Sequence, residues 1–236
     1  MEVFVRDLIV DESYSYCWML RGLGVNAANI VAENLLGHVW IDIETHKWIT
    51  LDRDLSADQW FKKRWKTFMV GVGYFEIDRE TLTFHVRVAS SDNEEALIRW
   101  TGGYIYPAKS VRYFASRDFD KMVLCGRFIN ARMPFAEHSG SWAHIDENLV
   151  VWENLRVCKA TKSRWESLKI KSQTILSKDV PRYWSIFKET EDKKILDSLV
   201  KHNAYDVIRN LIADEIVVSL PDMKVVTAGL ERFIEY

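Results

Sequence analysis

Two long alternating runs constrain the fold most. "TFMVGVGYFEID" (67–78) and "TLTFHVRVAS" (81–90) each alternate apolar and polar residues. They are joined through Asp78, Arg79 and Glu80. Alternation with a period of two, broken only by a short polar link, predicts a β-hairpin. A shorter apolar strand, "HVWIDIE" (38–44), precedes it, and "KSVRYFAS" (109–116) follows as a fourth strand. "AHIDENLVVWEN" supplies a fifth.

Helical segments fall between and after these strands. "LSADQWFKKRW" (55–65) is capped by Ser56, and "SSDNEEALIRWTG" opens on an N-cap with an acidic first turn. "DFDKMVLCGRFINAR" (118–132) is amphipathic. A last helix over about 191–219 carries Ile195, Leu199, Val200, Val207, Ile208, Leu211 and Ile212 at helical spacing. The order β-α-β-β-α-β-α-β, then helices, predicts an α/β layer fold with one antiparallel neighbour in a mixed sheet. At 236 residues the chain suits one large domain with a small appendage. Residues 1–36 read as an N-terminal extension whose helix-like end closes on Gly37, 37–220 as the main domain and 221–236 as a tail.

The apolar strand holds two carboxylates, Asp42 and Glu44. Residues two apart on a strand share a face, so the two acids lie side by side. Like charges that close repel each other unless a cation or a proton intervenes. Further on, Asp118 and Asp120 open a helix, and His202 and Asp206 stand four apart on another, sharing one face.

The ordered set "DIET", "FDKMVLCGRF" and "HNAYDV" resembles the motif order of the DEDD superfamily of 3′–5′ exonucleases. "RWESLKI", "SKDVPRYWSIFKET" and "LVKHNAYDV" are similar to the pattern of its YprB-like branch. The resemblance covers about residues 38–218. It implies a ribonuclease H-like fold: a mixed five-stranded sheet with an antiparallel second strand, flanked by helices. It implies that Asp42, Glu44, Asp120 and Asp206 hold two divalent cations, Mg²⁺ or Mn²⁺, with Asp118 the alternative to Asp120. His202 would orient or deprotonate the attacking water. It stands four residues before Asp206, where many His-type members place it five before. The implied substrate is the 3′ end of single-stranded DNA or RNA. Hard cations take oxygen ligands, which is why this chemistry needs carboxylates.

Other features bound the function. A net charge of −2 leaves nucleic-acid binding to local patches or bridging metals. Basic residues interleave with aromatics in "WFKKRWK" (60–66). Others gather at Arg112, Arg117, Lys121, Arg127 and Arg132, and at Lys159, Lys162 and Arg164. Such a mixture suits single strands, or a solvated helix face. Cys17, Cys125 and Cys158 are scattered and form no C-x-x-C pair, which argues against structural zinc or disulfides and for a reducing cytoplasm. The N-terminus is broken by charges, unlike a signal peptide. No apolar run approaches the about 18 residues of a membrane span.

"RGLGVNAANIV" has three readings. Gly22, Gly24 and Ala27 partly match a dinucleotide-binding turn. Gly22, Gly24 and Ala28 resemble half of a helix-hairpin-helix that offers backbone N–H groups to a phosphate. A plain glycine turn is the third. The alternative to an exonuclease is a catalytically weak ribonuclease H-like module that binds nucleic acid or docks a partner.

Overall fold

The computed structural model describes residues 12–19, 29, 32–47, 65–78, 81–105, 107–114, 151–154 and 175–220. The expected helix over 118–132 and that over 55–65, apart from Trp65, which opens a strand, lie outside them, as do Asp118, Asp120, Gly22, Gly24, Ala27, Ala28 and most of the basic clusters.

Among the described residues six strands form one sheet: β1 (Glu12–Met19), β2 (His38–Lys47), β3 (Trp65–Asp78), β4 (Thr81–Ser90), β5 (Ser110–Tyr113) and β6 (Val151–Asn154). Their order is β1-β4-β3-β2-β5-β6. The hairpin expected from alternation is present, with β3 and β4 paired antiparallel from Met69↔Ser90 to Asp78↔Thr81. β2 is antiparallel to β3 and parallel to β5, and β5 is parallel to β6. The strands β2 to β6 therefore make the expected five-stranded mixed sheet, with its second strand antiparallel. The N-terminal segment adds a sixth strand, because β1 pairs antiparallel with β4 along its whole length.

Helices of the described residues include α1 (Glu94–Ile105), α2 (Val180–Thr190), α3 (Lys193–Ala213) and α4 (Glu215–Ser219). Asn93 caps α1, its side-chain oxygen accepting the Ala96 N–H at 3.1 Å. Pro181 sits in the first turn of α2, where a missing N–H costs nothing. Asp192 caps α3 by accepting the Lys194 N–H at 2.9 Å. The final helix is not continuous, as the apolar spacing suggested. It breaks at Asp214, whose backbone is extended and whose carboxylate caps α4 through the Ile216 N–H. Gly37 does end the helical turn at 32–35, in the left-handed conformation that favours glycine (φ 85°). Its carbonyl accepts the Lys109 N–H at 2.7 Å, tying the start of β2 to the start of β5.

Side chains alternate across the sheet, so each face has its own core. Val39, Ile41, Ile43, Val70, Val72 and Ala89 pack with Leu97 and Ile105 of α1. Trp40, Phe68, Phe75, Phe84 and Val86 pack with Leu199, Val200, Val207, Ile208 and Leu211 of α3. Trp184 of α2 stacks on Phe68, with ring centroids 4.5 Å apart. Among the described residues no helix is long and apolar enough to cross a membrane.

α3 approaches β3 closely because β3 carries glycines where the helix crosses. A Cβ on Gly71 would lie 2.2 Å from Asn203 Oδ1, and one on Gly73 would lie 2.6 Å from a Val207 methyl. Glycine inside a strand commonly marks such an approach.

Candidate active site

Trp40, Asp42 and Glu44 share the face of β2 that meets α3, while Ile41 and Ile43 fill the opposite core. The two acids lie towards the carboxyl end of β2. Parallel pairing with β5 spans only His38–Trp40, so the acids stand beyond it. Open α/β sheets place ligands in the crevice outside the carboxyl ends of their strands. A register shift between Glu44 and Thr45 passes over Phe68 on β3 and lets Phe68 point into the α3 core.

α3 presents polar residues to this end of β2, from a segment in which every residue from His202 to Ala213 is buried. His202 Nε2 lies 3.4 Å from Glu44 Oε1 and 3.5 Å from Asp206 Oδ2. These three donor atoms all fall within 4.8 Å of one another. Asp206 Oδ1 accepts a hydrogen bond from Arg209 at 2.9 Å, which leaves Oδ2 facing His202. Burial holds the His202 pKa below that of free imidazole. The Asp206 charge and a hydrogen bond to the Ile175 backbone oppose that shift, and Arg209 reinforces it. The ring is thus biased towards its neutral form, with one nitrogen engaged by the main chain and Nε2 turned to the two carboxylates. Two anionic oxygens around a neutral ring nitrogen make a set of three donors to a cation.

Asp42 is held differently. Asn203 donates from Nδ2 to Asp42 Oδ2 at 2.7 Å, and its amide also reaches the Asp42 carbonyl at 3.3 Å. About two turns along α3, Asn210 Nδ2 donates to the Ile41 carbonyl at 2.9 Å. Both amides are fully buried, so their bonds act in a low-dielectric setting where losing one is costly.

Four of the sequence-selected residues thus meet where α3 crosses β2. Glu44, His202 and Asp206 form one group, and Asp42 stands two residues from Glu44 on the same face. Asp120 lies outside the described residues. Arg112, grouped with surface basics on sequence grounds, is corrected. It is 4% exposed and paired with the fully buried Asp214, so it is unavailable to nucleic acid. Asn203, Arg209 and Gly71 were missed. A signal existed for the first two: in "HNAYDVIRN" the polar residues recur at helical spacing within an apolar helix.

Gly71, Asn203 and Asp42 interlock, which gives a testable coupling. Gly71→Ala is expected to cost about 1–3 kcal/mol by overpacking, read as a lower urea midpoint at unchanged slope. Combining it with Asn203→Ala, which removes the nearer clash and leaves the Val207 methyl at 2.7 Å, is expected to cost less than the two single changes added. Additive losses would show that Gly71 does not serve the Asn203 contact.

A model of the RNase H superfamily matches residues 54–213, more than half of the chain. That span contains Asp120, His202 and Asp206, while Asp42 and Glu44 precede it and join the site through β2. No curated protein and no solved structure matches.

Proposed function

The chain belongs to the RNase H superfamily, and from that premise we propose that it is a metal-dependent 3′–5′ exonuclease acting on single-stranded DNA or RNA. The observation that carries this reading is the meeting of Glu44, His202 and Asp206 at the carboxyl end of β2, beside Asp42. Asp42, Glu44 and Asp206, with Asp120 from the second motif, form the acidic set for two divalent cations, and His202 is its buried companion. When bound, such cations make a water nucleophilic at neutral pH and offset charge on the leaving 3′ oxygen. The protein's part is to hold its donors at fixed positions. Asn203 fixes Asp42, Arg209 fixes Asp206, and the Ile175 backbone fixes the His202 ring. The scattered cysteines go with action in the cytoplasm.

The test is digestion of a 5′-labelled single-stranded DNA and its RNA counterpart, with ordinary and chemically blocked 3′ ends. The expected result is a ladder that shortens from free 3′ ends and fails to start on blocked ones. Equal cutting of blocked and free strands would make the enzyme an endonuclease. Intact strands with a gel shift would make it a binding module.

A further inference from the structure

We propose that Glu44, His202 and Asp206 form a mixed nitrogen–oxygen site that takes a first-row transition-metal dication in preference to Mg²⁺. The inference rests on the metal-dependent reading above and assigns His202 as a ligand rather than a base.

Three observations carry it. The first is spacing. An N–H···O hydrogen bond spans about 2.7–3.2 Å, whereas His202 Nε2 stands 3.4 and 3.5 Å from the facing carboxylate oxygens. Donors about 2.0–2.2 Å from a common metal lie roughly 3.0–3.5 Å apart, so the separations suit ligands of one ion.

The second is the surrounding support. A metal-binding imidazole commonly engages its other nitrogen with a backbone carbonyl, and ligating carboxylates are themselves hydrogen-bonded. Here the His202 ring is tied to the Ile175 backbone. Arg209 occupies the Asp206 oxygen that faces away from the ring, leaving Oδ2 for the ion.

The third is accessibility. His202 is 2% exposed, and its placement under Glu44 favours holding a bound ion over exchanging protons with bulk water.

Donor chemistry then sets the selectivity. Mg²⁺ requires near-ideal octahedral oxygen coordination and gives up water reluctantly. Imidazole nitrogen suits iron, nickel, copper and zinc, and affinity rises along the first row from Mn²⁺, the weakest binder, to Cu²⁺. A site with one nitrogen among three protein donors therefore discriminates against Mg²⁺.

The test is Mn²⁺ binding to the full chain, followed by electron paramagnetic resonance without substrate. Pulsed measurements report whether a ¹⁴N nucleus is coupled to the bound ion. Wild type is expected to bind Mn²⁺ with ¹⁴N coupling and to keep it against a hundredfold excess of Mg²⁺. His202→Gln is expected to lose the coupling and at least tenfold in affinity. Bound Mn²⁺ without nitrogen coupling in wild type, or its displacement by equimolar Mg²⁺, overturns the inference but leaves an all-oxygen nuclease site standing. Absence of Mn²⁺ binding to wild type overturns both. The wild-type spectrum decides the matter even if His202→Gln fails to fold.

Discussion

Replacing Asp214 with Ala is expected to lower the stability of the fold by about 3–5 kcal/mol, the cost of leaving one charge of a buried pair without its partner. Asp214 is fully buried and serves three elements. Its Oδ2 accepts from the Trp40 indole N–H of β2 at 2.8 Å and from Arg112 Nε of β5, while its Oδ1 accepts from Arg112 Nη2 at 2.7 Å. The same carboxylate caps α4. Without it, the buried Arg112 guanidinium and the Trp40 N–H lose their acceptor together, and α4 loses its cap. Urea unfolding checks this as a lower midpoint at unchanged slope. Trp40→Phe is expected to cost far less, since it removes one neutral donor and keeps the ion pair. A loss below about 1 kcal/mol for Asp214→Ala, the usual worth of an exposed pair, would mean the pair is not the anchor its burial implies.

The second large effect falls on catalysis. Glu44→Gln keeps the shape of the side chain and removes its charge, so stability is expected to change little, because Glu44 lies at the crevice rather than in either core. Nuclease activity is expected to fall by more than about a hundredfold. Changing groups that merely support metal ligands costs 10–100-fold, and Glu44 is proposed as a ligand itself. The check is a single-turnover rate on a labelled strand beside a thermal melt of the same sample. A melt that collapses together with the rate would move Glu44 from the chemistry to the fold.

How much of this could be read from the chain depends on the range of each interaction. The hairpin was legible because β3 and β4 are neighbours in sequence and their alternation mirrors the pleat. Asp42 and Glu44 stood out because charges interrupt an apolar strand, and His202 and Asp206 because four residues make a helical turn. These are local signals. The Asp42–Asn203 bond joins residues 161 apart, and the Arg112–Asp214 pair residues 102 apart. Nothing near Arg112 distinguishes a buried arginine from a surface one, so it was grouped with surface basics. Nothing in the sequence around Gly71 marks it as the point where α3 passes over the sheet. The break at Asp214 escaped notice because Val217 continues the apolar spacing and is itself buried. The cap that Asp214 gives the Ile216 N–H is local, whereas its bonds to Trp40 and Arg112 are long-range and leave no mark in the neighbouring sequence. The place of β1 in the sheet was illegible for a similar reason: its partner, β4, is distant in sequence.

The central claim is that the carboxylates on β2, with α3 above them, hydrolyse nucleic acid with divalent metal. Its most direct test is the shortening rate of a 5′-labelled single strand, measured with Mn²⁺, with Mg²⁺ and with EDTA, for wild type and for Asp42→Ala purified side by side. The predicted result is metal-dependent shortening by wild type, abolished by EDTA and by Asp42→Ala. Shortening that persists in EDTA, or at an equal rate in Asp42→Ala, would contradict it.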